Sequence, residues 1–298
     1  MQMRLQARFA NGIPRSARLL SGGLEAGCCV MAGRTEADNS VPVRRALGWL
    51  PPLALAALAL LRADSHLWSP PPAWLPYATA VGEEGRFVLQ DGTHVDLNTG
   101  SRIAARFTGA GREIRVTQGE ALFTVSNPTP WPLSVRVGEA ILRARDARFM
   151  VRMRAAGQTE VLVITGRISI DAGDVSTQVD AGQLISLKSN YVLGRVLLSA
   201  AALNRRTAWV DGWLWFVESP LPEAIAEFNR YHDRRLVLVD PALARVRIGG
   251  RFRSSDLASF IATLEHSFGV RAATAVVHGT DTVIYLSERC RYARQHCN

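Results

Sequence analysis

Lysine is almost absent from this sequence. Lys188 is the only lysine in 298 residues, so arginine supplies nearly all of the positive charge behind the formal net charge of +9. These arginines are spread along the chain and often alternate with apolar residues, whereas nucleic-acid-binding proteins concentrate basic residues on one face or in one tail. The distribution of charge therefore argues against a protein that binds nucleic acid directly.

Cysteine is also scarce, and the long middle of the chain contains none. The four cysteines are Cys28, Cys29, Cys290 and Cys297, and their spacing is not that of a zinc site. Cys290 and Cys297 can close a small disulfide loop in an oxidising compartment, or they can remain two free thiols. The sequence leaves both alternatives open.

Motifs for catalysis and for cofactor binding are missing as well. The six histidines are scattered and show neither H-x-x-x-H nor H-E-x-x-H spacing. There is no G-x-S-x-G elbow, and Gly249-Gly250 lacks the Lys-Ser/Thr of a phosphate-binding loop. Asp91 and His94 are close in sequence, but no nucleophile accompanies them. We therefore predict no catalytic, metal-binding or cofactor-binding residues, and we do not expect an enzyme.

One long hydrophobic run is present, over residues 46–61. It carries no charge and spans about 24 Å as a helix, and Arg62 can extend outward to help it cross a hydrocarbon core of about 30 Å. Seven arginines lie before the run and only Arg62 follows it closely, so the positive-inside rule places the preceding residues in the cytoplasm. We predict a basic cytoplasmic tail over 1–45 and a transmembrane helix over 46–62.

Other interpretations of this run remain open. Ala57-Leu58-Ala59 resembles a signal-peptide cleavage site, and Arg44-Arg45 resembles a twin-arginine export signal. A leader of 45 residues before the apolar run is long for a cleaved signal peptide. A buried core helix is disfavoured because the run is almost purely Ala and Leu with arginines on one flank. A retained single span is the interpretation that we favour.

The next residues predict a spacer and an all-β domain. Residues 63–78 are proline-rich and favour an extended, semi-rigid linker. Over 79–190 the apolar residues alternate with polar ones, glycines separate the segments, and no helical period intervenes. Asp91-Gly92 is a strong hairpin signal, because Asp and Gly tolerate positive φ at a turn. This pattern is typical of a β sandwich or roll.

The pattern changes in the last third of the chain. Residues 191–206 are predicted to be a linker. Over 207–287, two helical apolar stripes alternate with strands in the order βαββαβ plus a final strand, which predicts a small α+β domain. Residues 288–298 form a basic tail. The whole chain is therefore predicted to be a membrane-anchored, multi-domain protein.

One predicted strand is apolar on both faces. It contains Trp213, Trp215 and Phe216, and helices on one side of the sheet cover only half of these side chains. The neighbouring β domain, a partner protein or a second copy must cover the others. Tryptophan is enriched among interface hot spots, so we predict that these three residues bind a partner.

The order of motifs resembles a known family. The stretch "LQDGTHVDLNTGSRIA" and several later positions are similar to the FecR domain, the periplasmic part of FecR-type regulators of extracytoplasmic-function (ECF) sigma factors. The matching positions, which we interpret as structural, are Asp91, Gly92, Gly119, Glu120, Phe149, Gly166 and Gly182. The last domain is similar to the secretin/TonB short N-terminal (STN) domain, with matches at Asn229, Arg230, Tyr231 and Gly250. Asp146-Ala147 stands where the family tends to have a Gly-Thr turn, and the sequence predicts separate strands before and after it, over 140–145 and 149–154. Separate strands are likewise predicted over 161–164 and 167–170, with Gly166 between them.

The resemblance implies a single-pass regulator in the bacterial inner membrane, with its N-terminus in the cytoplasm and its last two domains in the periplasm. Its partners would be the signalling domain of a TonB-dependent outer-membrane receptor for an iron chelate, and a cytoplasmic ECF sigma factor. Family members usually begin with a helical sigma-binding domain, which residues 1–45 do not resemble. The alternative is an anchored periplasmic binding module without control of a sigma factor.

Overall fold

The computed structural model describes residues 72–126, 130–173, 175–189, 191–277 and 281–288. The predicted cytoplasmic tail and transmembrane helix lie outside these residues, as do Cys290 and Cys297. Within the described ranges, no helix is long and apolar enough to cross a bilayer. The described chain is mostly β-sheet with few helices, as the alternating pattern predicted.

The first part, here called the β domain, is one sheet of twelve strands. The strands are β1 (Leu75–Ala78), β2 (Gly85–Val88), β3 (His94–Leu97), β4 (Arg102–Thr108), β5 (Gly111–Gln118), β6 (Glu120–Val125), β7 (Leu133–Val137), β8 (Ala140–Met153), β9 (Gln158–Ala172), β10 (Val175–Asp180), β11 (Gln183–Lys188) and β12 (Tyr191–Leu197). The main path runs β1-β4-β5-β7-β8-β6-β3-β2, and β9 joins β8 to β10 and β11. All pairs are antiparallel except β5 with β7.

Two long strands, β8 and β9, connect the halves of this sheet. The first half of β8 pairs with β7 and its second half with β6, while β9 divides in the same way between β11 and β10. Their mutual register shifts between Ala144 and Ala147. Here Gly166 has φ +76°, and a Cβ on it would lie 2.2 Å from the Asp146 carbonyl oxygen, so only glycine fits. The sequence predicted a break at this point, but each strand continues through it. Asp146-Ala147 is therefore part of β8 and not a turn.

The interior of the β domain is apolar. Alternate residues of β3 to β9 point inward, in line with the period of two, and the rings of Phe123 and Phe149 stack with their centroids 5.2 Å apart. Both phenylalanines are fully buried. The predicted structural residue Phe149 is thus a central part of this core.

The Asp91-Gly92 segment is a turn, but Asp91 has a different role from the one predicted. Gly92, with φ +81°, adopts the left-handed conformation, and Asp91 does not. The Asp91 carboxylate instead accepts hydrogen bonds from the Thr93 backbone N–H (3.0 Å) and hydroxyl (2.7 Å). It also pairs with Arg112 of β5 at 3.0 Å, and both side chains are buried. Asp91 therefore joins the turn to the neighbouring part of the sheet.

Two segments predicted as linkers contain regular structure. Leu75–Ala78, the end of the predicted proline-rich linker, is strand β1 at a sheet edge, where Pro76 is tolerated. The predicted linker 191–206 forms β12 and most of helix α1 (Ala200–Thr207). All seven residues of β12 are exposed, and α1 buries none of its residues completely. Neither element has the apolar period that sequence patterns reveal, and this is why both were missed.

The last part, here called the α+β domain, contains two helices and five strands. They are β13 (Trp213–Pro220), α2 (Leu221–Phe228), β14 (Arg235–Leu238), β15 (Arg247–Arg253), α3 (Leu257–Ser267), β16 (Val270–Val277) and β17 (Asp281–Glu288). β13 pairs with β15, and a second sheet has the order β14-β17-β16. The apolar faces of the two helices meet between the sheets, where the rings of Phe228 and Phe260 stack at 4.0 Å.

Candidate functional site

Strand β13 separates the three residues that the sequence predicted as partner-binding. Leu214 and Phe216 point into the α+β core, where Phe216 is only 6% exposed and lies within 6.5 Å of the rings of Phe228 and Phe260. Trp213 and Trp215 point to the opposite face and are half-buried. Phe216 is therefore mainly a core residue, and only a small part of it reaches the groove described below. That Phe216 binds a partner stays a prediction; apolar character alone does not tell which face of a strand is inward.

Arginines of the adjacent strand cover part of the two tryptophans. The antiparallel register places Arg253 opposite Trp213 and Arg251 opposite Trp215. The Arg253 guanidinium lies 3.8 Å from the centroid of the Trp213 ring, and that of Arg251 lies 4.8 Å from Trp213 and 5.4 Å from Trp215. Such cation–π contacts hold the indoles in place and leave part of each ring accessible.

The tryptophans line a groove between the two domains, here called the interdomain groove. Its volume is about 670 Å³, within the range of ligand and peptide sites. The aromatic residues of the wall are Trp209, Trp213, Trp215, Phe216 and Tyr231. The charged residues are Arg152, Arg154, Arg205, Arg206, Arg230, Glu120, Glu223 and Glu227. The groove therefore combines apolar surface with a surplus of arginine.

A chain of charged side chains crosses from one domain to the other beside this groove. Arg152 of β8 pairs with Glu227 of α2, Glu227 pairs with Arg230 at 3.1 Å, and Arg230 pairs with Glu120 of β6 at 2.8 Å. Asn98 also donates to Glu120 at 2.8 Å. We call these four charged residues, Arg152, Glu227, Arg230 and Glu120, the interdomain ion chain. It connects two residues that the sequence predicted as separate motif positions, Glu120 and Arg230.

Burial and pairing shift the acid–base equilibria of the interdomain ion chain. Burial by itself would raise the pKa of Glu227, but the charges of Arg152 and Arg230 lower that pKa below its ordinary value of 4.5. Burial by itself would lower the pKa of Arg230, but Glu120 and Glu227 raise it. Both side chains are therefore charged at neutral pH, which a buried pair with matched partners allows.

A second ion cluster lies on the other wall of the groove. Glu160 of β9 is 2.8 Å from Arg154 and 2.8 Å from Arg206 of α1. Burial would raise the pKa of Glu160, but hydrogen bonds and charge from the two arginines lower it. Arg205, which precedes Arg206 in α1, has no carboxylate partner among the residues that the structure describes. It is the groove arginine whose charge remains free for a ligand.

Backbone contacts extend the junction on both sides of the ion chain. The Thr99 hydroxyl donates to the Arg230 carbonyl at 3.0 Å, and the Gly82 N–H donates to Thr99 Oγ1 at 2.8 Å. On the other side, Arg86 donates to the Val210 carbonyl at 2.6 Å. The β domain is thus bonded directly to the backbone of Arg230, one of the motif residues of the last domain, and to that of Val210, which precedes β13.

The other predicted motif residues have local structural roles. Asn229 clamps the start of β14, since its side chain accepts from the Leu236 N–H at 2.7 Å and donates to the Leu236 carbonyl at 2.9 Å. Tyr231 is buried at the junction, where desolvation raises its pKa. Gly119 precedes Glu120, Gly182 lies at the turn into β11, and Gly250 lies opposite Phe216 at an irregular point of β13–β15 pairing.

Sequence reasoning assigned no role in binding to Arg152, Arg154, Arg205, Arg206 or Trp209. Arg152 and Arg154 are part of an alternation along β8 that predicts only a strand, and Arg205, Arg206 and Trp209 lie in or after the segment predicted as a linker. The surplus of arginine over lysine was the one sequence signal that these arginines form ion pairs, because arginine is the preferred partner of buried carboxylates.

The described residues contain no group of three or more His, Cys, Asp or Glu side chains placed to hold a metal ion. Arginines paired with carboxylates, together with indole rings, line the groove.

Comparison with known proteins agrees with this architecture. Residues 76–169 match the family model for the FecR protein. The chain contains a FecR domain. It lies within the β domain, which is called the FecR domain from here on. The matched residues run from β1 into β9, so they include Glu120 and Arg152 of the FecR domain but none of the α+β domain. The resemblance to the FecR family is confirmed, and the similarity of the last domain to STN domains stays a prediction.

Two solved structures have the same fold over most of the chain. They are crystal structures of a proposed anti-sigma factor from Parabacteroides distasonis ATCC 8503, at 1.65 and 2.50 Å resolution. The chain is 24% identical to each, with TM-scores of 0.58 and 0.57, and the alignments cover 72% of this chain and 99% of the other. The FecR domain and the α+β domain therefore recur together. No curated protein sequence matches the chain.

Proposed function

We propose that this chain is a FecR-type signal transducer, held in the bacterial inner membrane by residues 46–62 with its FecR and α+β domains in the periplasm. In this role it receives a signal from the signalling domain of a TonB-dependent, iron-chelate receptor and relays it to an ECF sigma factor. The FecR domain and the fold shared with a proposed anti-sigma factor support the regulatory class.

The observation that carries the receptor contact is the interdomain groove. Trp213 and Trp215 are held in fixed positions by Arg251 and Arg253 and remain partly accessible, as anchors of a binding surface are. Arg205, which has no carboxylate partner among the described residues, supplies a positive charge at the same groove. A partner segment with an apolar side chain for Trp215 and an acidic one for Arg205 fits this surface.

The interdomain ion chain suggests how binding in the groove affects the rest of the molecule. Arg230 and Glu227 line the groove, and they also hold the α+β domain to the FecR domain through Glu120 and Arg152. A ligand that contacts this wall changes the contacts between the two domains. The groove is therefore a suitable place to convert receptor binding into a change at the FecR domain.

The binding half of this proposal is tested by titrating the purified full chain, in mild detergent, with the signalling domain of the receptor encoded beside it. Trp215→Arg is expected to weaken binding at least tenfold, because it removes an aromatic anchor and adds a charge to an arginine-rich wall. Val276→Arg is the matched control, since Val276 is an exposed valine on β16. Wild-type affinity for Trp215→Arg, with an unchanged circular dichroism spectrum, contradicts the assignment.

The output half needs a separate experiment. A bacterial two-hybrid assay of residues 1–45 against the sigma factor encoded nearby is expected to show binding. If those residues do not bind while the full chain still binds the receptor domain, the chain is an anchored periplasmic module without sigma-factor control.

A further inference from the structure

A small pocket lies on the outer face of the FecR domain, near the edge strand β1. Its volume is about 190 Å³, and its walls include Trp74, Arg115, Ser134, Arg136 and Arg143. This volume is below the range of about 300–1,000 Å³ that is usual for larger ligands. We call it the arginine pocket, because three arginines line it. Its size suits one small polar group.

Two of the three arginines lie directly opposite each other. Arg115 of β5 and Arg136 of β7 are register partners, and both side chains are exposed on the outer face. Like charges at opposite positions of neighbouring strands repel each other. Arg143 of the same pocket pairs with Asp171, but Arg115 and Arg136 have no carboxylate partner among the residues that the structure describes. An anion bound between them would relieve the repulsion.

A phosphate group matches the chemistry of this pocket. Guanidinium groups bind phosphate oxygens through pairs of parallel, charge-assisted hydrogen bonds. The Ser134 hydroxyl lines the same pocket and can donate a further hydrogen bond to a phosphate oxygen. Two unpaired arginines and a hydroxyl therefore form a phosphate-binding set.

Trp74 adds an aromatic rim to the pocket. The centroid of its half-buried ring lies 4.0 Å from the Arg115 guanidinium and 4.6 Å from that of Arg106. These cation–π contacts hold the indole beside the pocket. Tryptophan is enriched at membrane–water interfaces, where its ring lies at the level of the lipid headgroups. An indole next to unpaired arginines therefore favours the phosphate of a lipid headgroup over that of a soluble compound.

The position of Trp74 in the chain keeps this pocket within reach of a membrane. Residues 63–73 separate Trp74 from the transmembrane helix predicted over 46–62, and they span at most about 40 Å when fully extended. A site tethered at such a distance meets headgroups at a high effective concentration, so a weak affinity is sufficient. Membrane proximity here rests on the anchor in the proposed function and does not involve the receptor contact.

We propose that the arginine pocket binds the phosphate headgroup of an anionic phospholipid and thereby docks the outer face of the FecR domain on the membrane. Arg115 and Arg136 bind the phosphate oxygens, Ser134 donates to them, and Trp74 lies among the headgroups. The arginine pocket and the interdomain groove have no lining residue in common. Lipid docking therefore leaves the residues of the groove available to a partner.

The chemistry of the pocket is tested by an experiment that does not depend on the anchor. The purified full chain, in an uncharged detergent, is titrated calorimetrically with glycerophosphoglycerol, the water-soluble headgroup of phosphatidylglycerol. We expect saturable binding that weakens about tenfold or more when Arg115→Gln and Arg136→Gln are combined, because both guanidinium contacts to the phosphate are lost. Arg271→Gln, on an exposed arginine of β16, is the matched control and should bind as wild type does. Absence of binding, or equal binding by the double variant, overturns the proposal.

Docking on the membrane is tested with the full chain in nanodiscs. In a background with the native cysteines replaced by serine, Thr117→Cys places a thiol on the same exposed face of β5 as Arg115. In nanodiscs of mixed phosphatidylcholine and phosphatidylglycerol, we expect a polar maleimide to react with this thiol about fivefold or more slowly than in phosphatidylcholine alone. The combined Arg115→Gln and Arg136→Gln changes should remove the difference. Val276→Cys, at an exposed position of β16, is the control and should react equally in both lipids.

The two experiments together separate the possible failures. Headgroup binding without slower thiol reaction in the anionic nanodiscs means that the pocket takes a soluble phosphate compound, which overturns the membrane assignment. Slower reaction that persists in the double variant means that other residues dock the domain, which also overturns it. A full chain that does not enter nanodiscs contradicts the anchor of the proposed function and the lipid assignment with it, whereas the calorimetric titration still decides whether the pocket binds phosphate.

Discussion

The core of the FecR domain and the junction of this domain with the α+β domain are stabilised by different kinds of contact. The core is an apolar cluster around Phe123 and Phe149, both fully buried. The junction is an ion chain in which Glu120, only 1% exposed, faces Arg230 of the α+β domain. Apolar contacts are non-directional, whereas a buried charge needs its own partner in a defined position. The core therefore stabilises a domain, and the junction specifies how two domains meet.

The largest effect is expected when the core is broken. Phe149→Ala removes a fully buried ring that stacks on Phe123, and we expect the free energy of unfolding to fall by about 3–5 kcal/mol. Urea denaturation followed by circular dichroism measures this change. Phe149→Leu keeps most of the volume and is expected to cost about 1 kcal/mol. Equal losses for the two variants would show that the ring is not packed as described.

A double-mutant cycle on Glu120 and Arg230 sharpens the comparison at the junction. Either single change to alanine removes one partner of a buried charge, leaving Arg230 with Glu227 or Glu120 with Asn98, and we expect a loss of about 3 kcal/mol for each. The coupling energy of the pair is expected to be about 1–3 kcal/mol.

The control for that cycle is Arg106 with Glu113, a pair of similar length at the surface, with side chains 29% and 49% exposed. Its coupling energy is expected to be about 0.2–1 kcal/mol. A Glu120–Arg230 coupling no larger than that of the surface pair would rule out the junction as a specific contact.

The smallest effect on the free energy of unfolding is expected when the pH is lowered. The pKa of Glu227 is lower in the folded protein than the ordinary 4.5, so its contribution to stability is present above the unfolded-state pKa and is lost as pH falls through the folded-state pKa. Wild type should therefore lose more stability than Glu227→Gln when the pH is lowered below about 4.5. Unfolding curves at several pH values measure the difference, and parallel pH profiles would contradict the prediction.

The pKa of Glu84 is shifted in the opposite direction to the pKa of Glu227. Burial raises the pKa of Glu84 in the folded protein, so the wild type gains stability as pH falls through that raised pKa and loses it as pH rises. Glu84→Gln should lack this gain. The two variants should therefore deviate from wild type in opposite directions on acidification.

Local patterns predicted the elements whose burial follows a period. The helices α2 and α3 appear as apolar stripes, and the alternating strands of the FecR domain appear with period two. β12 and α1 escaped prediction because neither buries a regular face. The single strands β8 and β9 were each divided in two, because Gly166 and Asp146-Ala147 look like chain breaks although their backbone is part of a register shift.

The candidate site was predicted only in part. The sequence showed that one strand has too many apolar side chains for a single core, and this led to Trp213 and Trp215. It could not separate them from Phe216, because the direction of a side chain depends on which face of β13 the helices cover. It also could not bring Arg152, Arg230 and Glu120 together, since they are far apart along the chain.

The sequence by itself determined the class of this protein: an ordered series of motifs that makes a FecR domain, an alternation that makes it β-rich, and the residue types available for recognition. Short-range periodicity and turn chemistry are sufficient for that, because they act between residues close along the chain. Only the tertiary structure decided which charges meet across the junction and which tryptophans line the groove. Those contacts join residues distant along the chain, and they exist only once both domains are packed.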